Sequence, residues 1–353
     1  MPTTPEDTIP VRPDERFDEG RLGEYLRGRL PGADGRPAVR QFGGGAANLT
    51  YLVDFGGREY VLRRPPLGPV APTSHDMARE HRVLSVLHEA YPLAPRAFLF
   101  CEDPSVIGAP FFVMERRRGV VVRRTMPEAF AAIPEAGRRM GEAIVDALAD
   151  LHAVDYRALG LDALGRPEGF LERQVEGWWG RWQKARLAEV ADMDAVYAWL
   201  RKRLPPAGAA SLVHNDYKLD NAMFAAADPG RVVAVFDWDM CTLGDPLADL
   251  GSLLCYWSEP GDLPELRATA MMPADGFPGR AELVDRYAAR SGRDVSSMAF
   301  HHVLGLFRLV VIAAQIYVRF HRGQTQDRRF EAFGRLVPVV AAAARARAEA
   351  AGL

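Results

Sequence analysis

The chain has 353 residues, and its 44 Lys and Arg against 46 Asp and Glu leave a formal charge of −2. That balance excludes a nucleic-acid binder working by bulk charge, while 48% apolar and 25% charged residues describe a globular protein with a buried core. Cys101, Cys241 and Cys255 are far apart and form no C-x-x-C, which excludes a disulfide scaffold or zinc ribbon and fits a reducing, cytoplasmic setting.

Residues 1–20 are acidic and proline-containing without an apolar run. They read as a flexible leader rather than a signal peptide. Apolar positions at helical spacing between Asp18 and Leu30 suggest a short helix. Val39–Phe42 reads as a strand, Gly43, Gly44 and Gly45 open a glycine turn that runs to Asn48, and Leu49–Phe55 is a second strand. Gly56-Gly57 then turns the chain into Tyr60–Arg63, which Pro65 and Pro66 stop. A helix is expected over Asp76–Ala90, and strands over Ala97–Cys101 and Phe111–Glu115.

Beyond Arg118 the pattern is mostly helical, with helices over Pro134–Val154, two within Phe170–Leu204, and more from Pro246 onward. Short strands return at Ser211–Val213, Ala222–Phe224 and Val232–Phe236. Val303–Val318 is the most apolar stretch, but it holds Arg308 and Gln315 and is short for a bilayer, so it reads as a buried helix. The fold class expected is α+β: a sheet-rich N-terminal lobe over 1–117 and a helical C-terminal lobe over 118–353. Pockets commonly form at such junctions.

Chemistry concentrates in three segments. His214–Asn221 reads H-x-D-x-x-x-x-N, Asp237-Trp238-Asp239 follows an apolar strand, and Gly244-Asp245-Pro246 opens a helix. A loop can turn Asp216 and Asn221 into one place, where Asp216 would orient an acceptor hydroxyl or take its proton. Asn221 and Asp237 offer the oxygen donors a magnesium ion prefers. His214 reads as a hydrogen-bonder within the loop, and Asp245 and Asp249 as its braces. The glycine turn would bring backbone N–H groups close to phosphate, with Asn48 where a G-x-G-x-x-G pattern wants glycine. Arg63 stands where kinases carry a phosphate-gripping lysine, and Glu80 on the following helix is its natural partner. No P-loop motif occurs.

These segments resemble the aminoglycoside phosphotransferase and choline kinase-like family, which has the protein-kinase fold, over roughly residues 38 to 320. Phe42–Arg64 further resembles the subgroup fused in animals to acyl-CoA dehydrogenases and linked to hydroxyacyl-CoA phosphorylation. The resemblance implies Asp216 as catalytic base and Asn221 and Asp237 as magnesium ligands. It implies Arg63 and Glu80 as the phosphate-gripping pair, and Met114-Glu115 at the adenine hinge. It also implies ATP and Mg2+ as cofactors and a small hydroxylated acceptor, with no nucleic-acid or membrane partner. Asn215 in place of the family's glycine and Arg63 in place of lysine are departures, and they keep a nucleotide-binding pseudokinase as the alternative. A true aminoglycoside acceptor is the other alternative. It would call for an acidic pocket, for which Glu259, Asp262 and Glu265 are candidates, while Arg308, Arg319, His321 and Arg322 favour an anionic or neutral acceptor. Trp178, Trp179 and Trp182 read as packing.

Overall fold

The computed structural model describes residues 7–43, 48–67, 76–267, 270, 272, 276–325 and 327–352. Gly44 and Gly45 of the glycine turn lie outside the described residues. Two compact units make up the chain: one runs to Arg118 and takes in Ala234–Met240, the other comprises Gly119–Val233 and Cys241–Leu353.

The first unit is built on a six-stranded antiparallel sheet. Its strands are β1 (Thr8–Ile9), β2 (Ala38–Phe42), β3 (Leu49–Asp54), β4 (Glu59–Arg64), β5 (Ala97–Cys101) and β6 (Phe111–Glu115), in the order β1-β2-β3-β4-β6-β5. The β3–β4 turn uses Gly56 and Gly57 at φ +67° and +102°, a backbone region where a side chain would be strained. Helix α1 (Glu19–Leu26) starts where the Asp18 carboxylate accepts from the N–H groups of Gly20 and Arg21. It buries Leu22 and Leu26 with Tyr51, Val53, Leu62 and Phe111. Helix α2 (Met77–Leu87) buries Met77, Val83, Leu84 and Leu87, and its buried stripe also carries Glu80.

The leader expectation needs correction. Thr8 and Ile9 pair with Phe42 and Gln41 as the edge strand β1. Arg40 donates to the Thr8 hydroxyl, and the Tyr51 hydroxyl donates to the Glu15 carbonyl. Two-residue strands carry no periodic signal, so pairing with β2 rather than local pattern orders this segment.

In the second unit, β7 (Val120–Val121) pairs with β9 (Ala222–Ala225), which pairs with β10 (Asp228–Val235); β8 (Ser211–Val213) pairs with β11 (Thr242–Gly244). The helices are α3 (Glu128–Ala131), α4 (Ala136–His152), α5 (Phe170–Ala185), α6 (Ala191–Lys202), α7 (Leu247–Cys255), α8 (Pro264–Arg267), α9 (Arg280–Ser291), α10 (Met298–His321) and α11 (Phe333–Ala350). Helix α10 is long and apolar enough to cross a membrane, yet 67% of its most apolar stretch is buried, packed by α5, α6, α7 and α11. Trp178 and Trp182 belong to that core, and Trp179 stacks on Tyr197 at 4.2 Å.

Close packing of α7 on α10 depends on two glycines. A Cβ on Gly251 would lie 2.4 Å from the His301 carbonyl oxygen, and one on Gly305 2.6 Å from the Cys255 sulfur. Their absence lets both helices deliver polar side chains to one loop, as follows.

Candidate active site

The sequence-predicted residues fall into two sets, one in each unit. In the first unit, β4 ends in two arginines that point apart, as alternation along a strand requires. Arg64 donates to the carbonyls of Ile107 and Glu15. Arg63 takes the other face, 3.1 Å from Glu80 and hydrogen-bonded to Asp237. Asp237 follows β10 at φ +68° and keeps 27% of its side chain exposed. A left-handed aspartate is uncommon, and here it turns the carboxylate out of the strand toward Arg63. The segment around it is anchored by the Val235 N–H on the Leu93 carbonyl and by Trp238 edge-on to Tyr91.

Charge in this set is unbalanced. Burial works against the Arg63 cation, but Glu80, Asp237 and Asp239 outweigh it and raise its pKa. Burial pushes the Glu80 carboxyl up to about 8; Arg63 opposes this, and Asp237 and Asp239 add to it. Glu80 and Asp237 thus contact one guanidinium while Asp239 acts on it electrostatically, and added positive charge here would favour the ionised carboxylates. Among the described residues no cluster of three or more His, Cys, Asp or Glu is arranged to hold a metal by itself. Magnesium bound through one or two protein oxygens plus substrate phosphates needs no such cluster.

Gly43 closes β2 and is exposed, while Asn48 is 3% exposed at the foot of β3. Met114 is buried in β6, paired with Val61 and Ala97. The Glu115 N–H is committed to the Arg96 carbonyl, and its carboxylate to Arg117 and the Arg96 N–H. A base edge would therefore need a donor other than the Glu115 amide.

The second unit holds the catalytic-loop set. Asn221 donates to the Asp216 carbonyl at 2.8 Å and to Asp216 Oδ2 at 3.0 Å. That fixes the amide with its oxygen turned away from Asp216, the orientation a metal ligand requires. Lys218 Nζ lies 2.9 and 3.1 Å from the two Asp216 oxygens and 5.4 Å from the centre of the Tyr256 ring. Burial works against the Lys218 cation, but Asp216 and Asp220 outweigh it and raise its pKa. Sequence reasoning passed over Lys218. The one available signal was a lysine two residues after Asp216, inside a motif whose intervening positions are unspecified. A cation there balances the carboxylate and can stabilise negative charge on a transferring group.

The loop is held from three sides. His214 accepts the Asp216 N–H through Nδ1 at 3.2 Å. Asp249, fully buried, accepts the N–H groups of His214 at 2.6 Å and Asn215 at 2.7 Å. It also lies 3.2 Å from His152 Nε2, and His152 Nδ1 lies 2.7 Å from the Tyr287 hydroxyl. Burial opposes ionisation of Asp249, but the His152 and amide hydrogen bonds outweigh it and hold its carboxyl below its usual value. On the other side, Arg308 donates to the Asn215 carbonyl at 2.8 Å and to the Ser252 hydroxyl at 3.3 Å. Asn215 itself sits at φ +65°, a left-handed backbone that asparagine tolerates better than most residues other than glycine. Asp245 caps α7 through the Leu247 N–H at 2.9 Å and lies 3.3 Å from His301.

The model of the phosphotransferase enzyme family matches residues 38–301. This chain belongs to that family. A Ralstonia eutropha protein solved as a proposed aminoglycoside phosphotransferase superposes with a TM-score of 0.80 at 29% identity, covering 95% of this chain and 99% of that one. Macrolide 2′-phosphotransferase type I matches with a TM-score of 0.57 at 20% identity, over 93% and 94% of the two chains. An aminoglycoside phosphotransferase solved with GDP and kanamycin gives 0.61 at 13% identity, over 94% and 99%. The kinase-like α+β fold is thereby shown. Among curated proteins, acyl-CoA dehydrogenase family member 11 of Gallus gallus is 33% identical over 95% of this chain, but that match spans only 44% of the relative. Member 10 of Mus musculus is 31% identical, with 95% of this chain and 31% of the relative covered. The chain thus spans less than half the length of these relatives.

Proposed function

We propose that this family member transfers the terminal phosphoryl group of ATP, with Mg2+, to a hydroxyl of a hydroxyacyl-CoA. The observation that carries the transferase reading is the Asp216–Asn221 contact on a loop braced by Asp249 and Arg308. Asp216 would orient the acceptor hydroxyl and accept its proton. Arg63, held by Glu80, would take the nucleotide phosphates. Asn221 Oδ1 and the Asp237 carboxylate are the oxygens that would hold magnesium, and the metal, when bound, neutralises phosphate charge.

Two facts support an acyl-CoA acceptor over an aminoglycoside. Two members of the acidic cluster that a polycation would need are already engaged: Arg280 binds the Glu259 carboxylate at 2.8 Å and both Asp262 oxygens at 2.6 and 2.8 Å. The curated relatives also carry acyl-CoA dehydrogenase in their names. The test is ADP release with Mg2+ and ATP across hydroxyacyl-CoAs, amino sugars and choline-like alcohols. Turnover is expected with the hydroxyacyl-CoAs; preference for amino sugars would overturn the acceptor. Release no faster than in an acceptor-free control across the panel would leave a nucleotide-binding module.

Asp237→Ala is expected to weaken magnesium–nucleotide binding by roughly tenfold or more, read by calorimetry. Undiminished affinity would remove Asp237 from the metal's ligands.

A further inference from the structure

In the second unit Arg280 and Arg286 each pair with a carboxylate. Arg308 and Arg181 differ. Arg308 is 5% exposed, and its hydrogen bonds go to one carbonyl and one hydroxyl. Its Nε has no acceptor among the described residues. Arg181 likewise forms no ion pair among the described residues. Both guanidiniums lie against one indole: the Arg181 carbon is 4.4 Å and the Arg308 carbon 5.3 Å from the Trp178 ring centre. Burial and the nearby Arg308 charge both lower the Arg181 pKa.

Arg308 is a buried cation with no carboxylate partner among the described residues, which is costly, and Arg181 on the exposed face of α5 brings a second positive charge to the same indole. Stacking on tryptophan offsets part of that cost and keeps both planar forks in place. The pair also borders the chemistry, because the carbonyl Arg308 holds belongs to Asn215, next to Asp216. Tyr256 lies against the same loop, its ring centre 5.4 Å from Lys218 Nζ, and burial raises its hydroxyl pKa to about 12.

We propose that Arg181 and Arg308, gathered on Trp178 beside the catalytic loop, bind an anionic group of the acceptor, a carboxylate or a phosphate. This rests on the kinase reading for its biological role but not for the binding itself. Arg308 has a second task as loop clamp, so the informative variant is Arg181→Gln, on the outer surface of α5.

The experiment uses the full chain. ADP release is measured with three acceptors sharing one hydroxyacyl chain: the CoA thioester, the free acid and the uncharged N-acetylcysteamine thioester. In parallel, inorganic phosphate is titrated by calorimetry into wild type and Arg181→Gln. The variant is expected to raise KM about tenfold for a charged acceptor while the neutral thioester shifts less than about twofold. Arg181→Lys should recover part of the loss. Loss confined to the CoA thioester identifies its phosphates as the anion; loss confined to the free acid identifies the carboxylate. Phosphate binding that disappears in Arg181→Gln upholds the anion site even if no acceptor is phosphorylated, an outcome that would sink the kinase reading alone. Phosphate binding indifferent to Arg181, together with equal KM changes for all three acceptors, would overturn the proposal.

Discussion

Asp216→Asn is expected to slow phosphoryl transfer by about two orders of magnitude or more while nucleotide still binds. Asparagine keeps the size and one oxygen but cannot accept a proton at neutral pH. It also cannot balance Lys218, which lies 2.9 Å from Asp216 Oδ2. Asn221 would lose a charge-assisted partner and keep the main-chain carbonyl at 2.8 Å, so the loop should persist. Single-turnover rates alongside nucleotide titration separate the two effects. Equal rates in the two proteins would remove Asp216 as the base; a matching collapse of nucleotide affinity would make it a structural residue instead.

Asp249→Ala is expected to destabilise the protein by about 3–5 kcal/mol, since it leaves buried donors facing an apolar void. Those donors are the N–H groups of His214 and Asn215 and the ring of His152. Asp249→Asn, which keeps the shape and an acceptor oxygen, should cost less and still slow turnover through a displaced loop. Denaturant melts give the stability and ADP release gives the rate. A variant as stable as wild type would mean that these amides have another acceptor, and the bracing described here would be wrong.

The grouping of the motif residues was legible because it is local. Asp216 and Asn221 are five residues apart on one loop, and an apolar strand announces Asp237. Arg63 and Glu80 were readable as a pair from their places on a strand and the next helix, and they meet at 3.1 Å. What stayed hidden depends on distant partners. Arg308 looked like one basic residue among several on the final helices, yet it crosses 93 positions to the Asn215 carbonyl. Glu259 and Asp262 looked like an acidic pocket because Arg280, which pairs with both, lies about twenty positions on. The tie between Asp249 and His152 spans 97 positions and leaves no periodic trace. Ala234–Met240 groups with the N-terminal unit because of its contacts, which no composition shift reveals.

Gly251 and Gly305 supply no polar group to the loop, yet they set how near α7 and α10 approach. Even one methyl group at either position would wedge the helices apart, and Asp249 and Arg308 would be carried off with them. The smallest ordinary mutation, glycine to alanine, is therefore closed at both places unless neighbours such as Cys255 change first. Lineages that preserve this loop would drift around those positions rather than through them, and a designer transplanting it would have to copy two residues that do no chemistry.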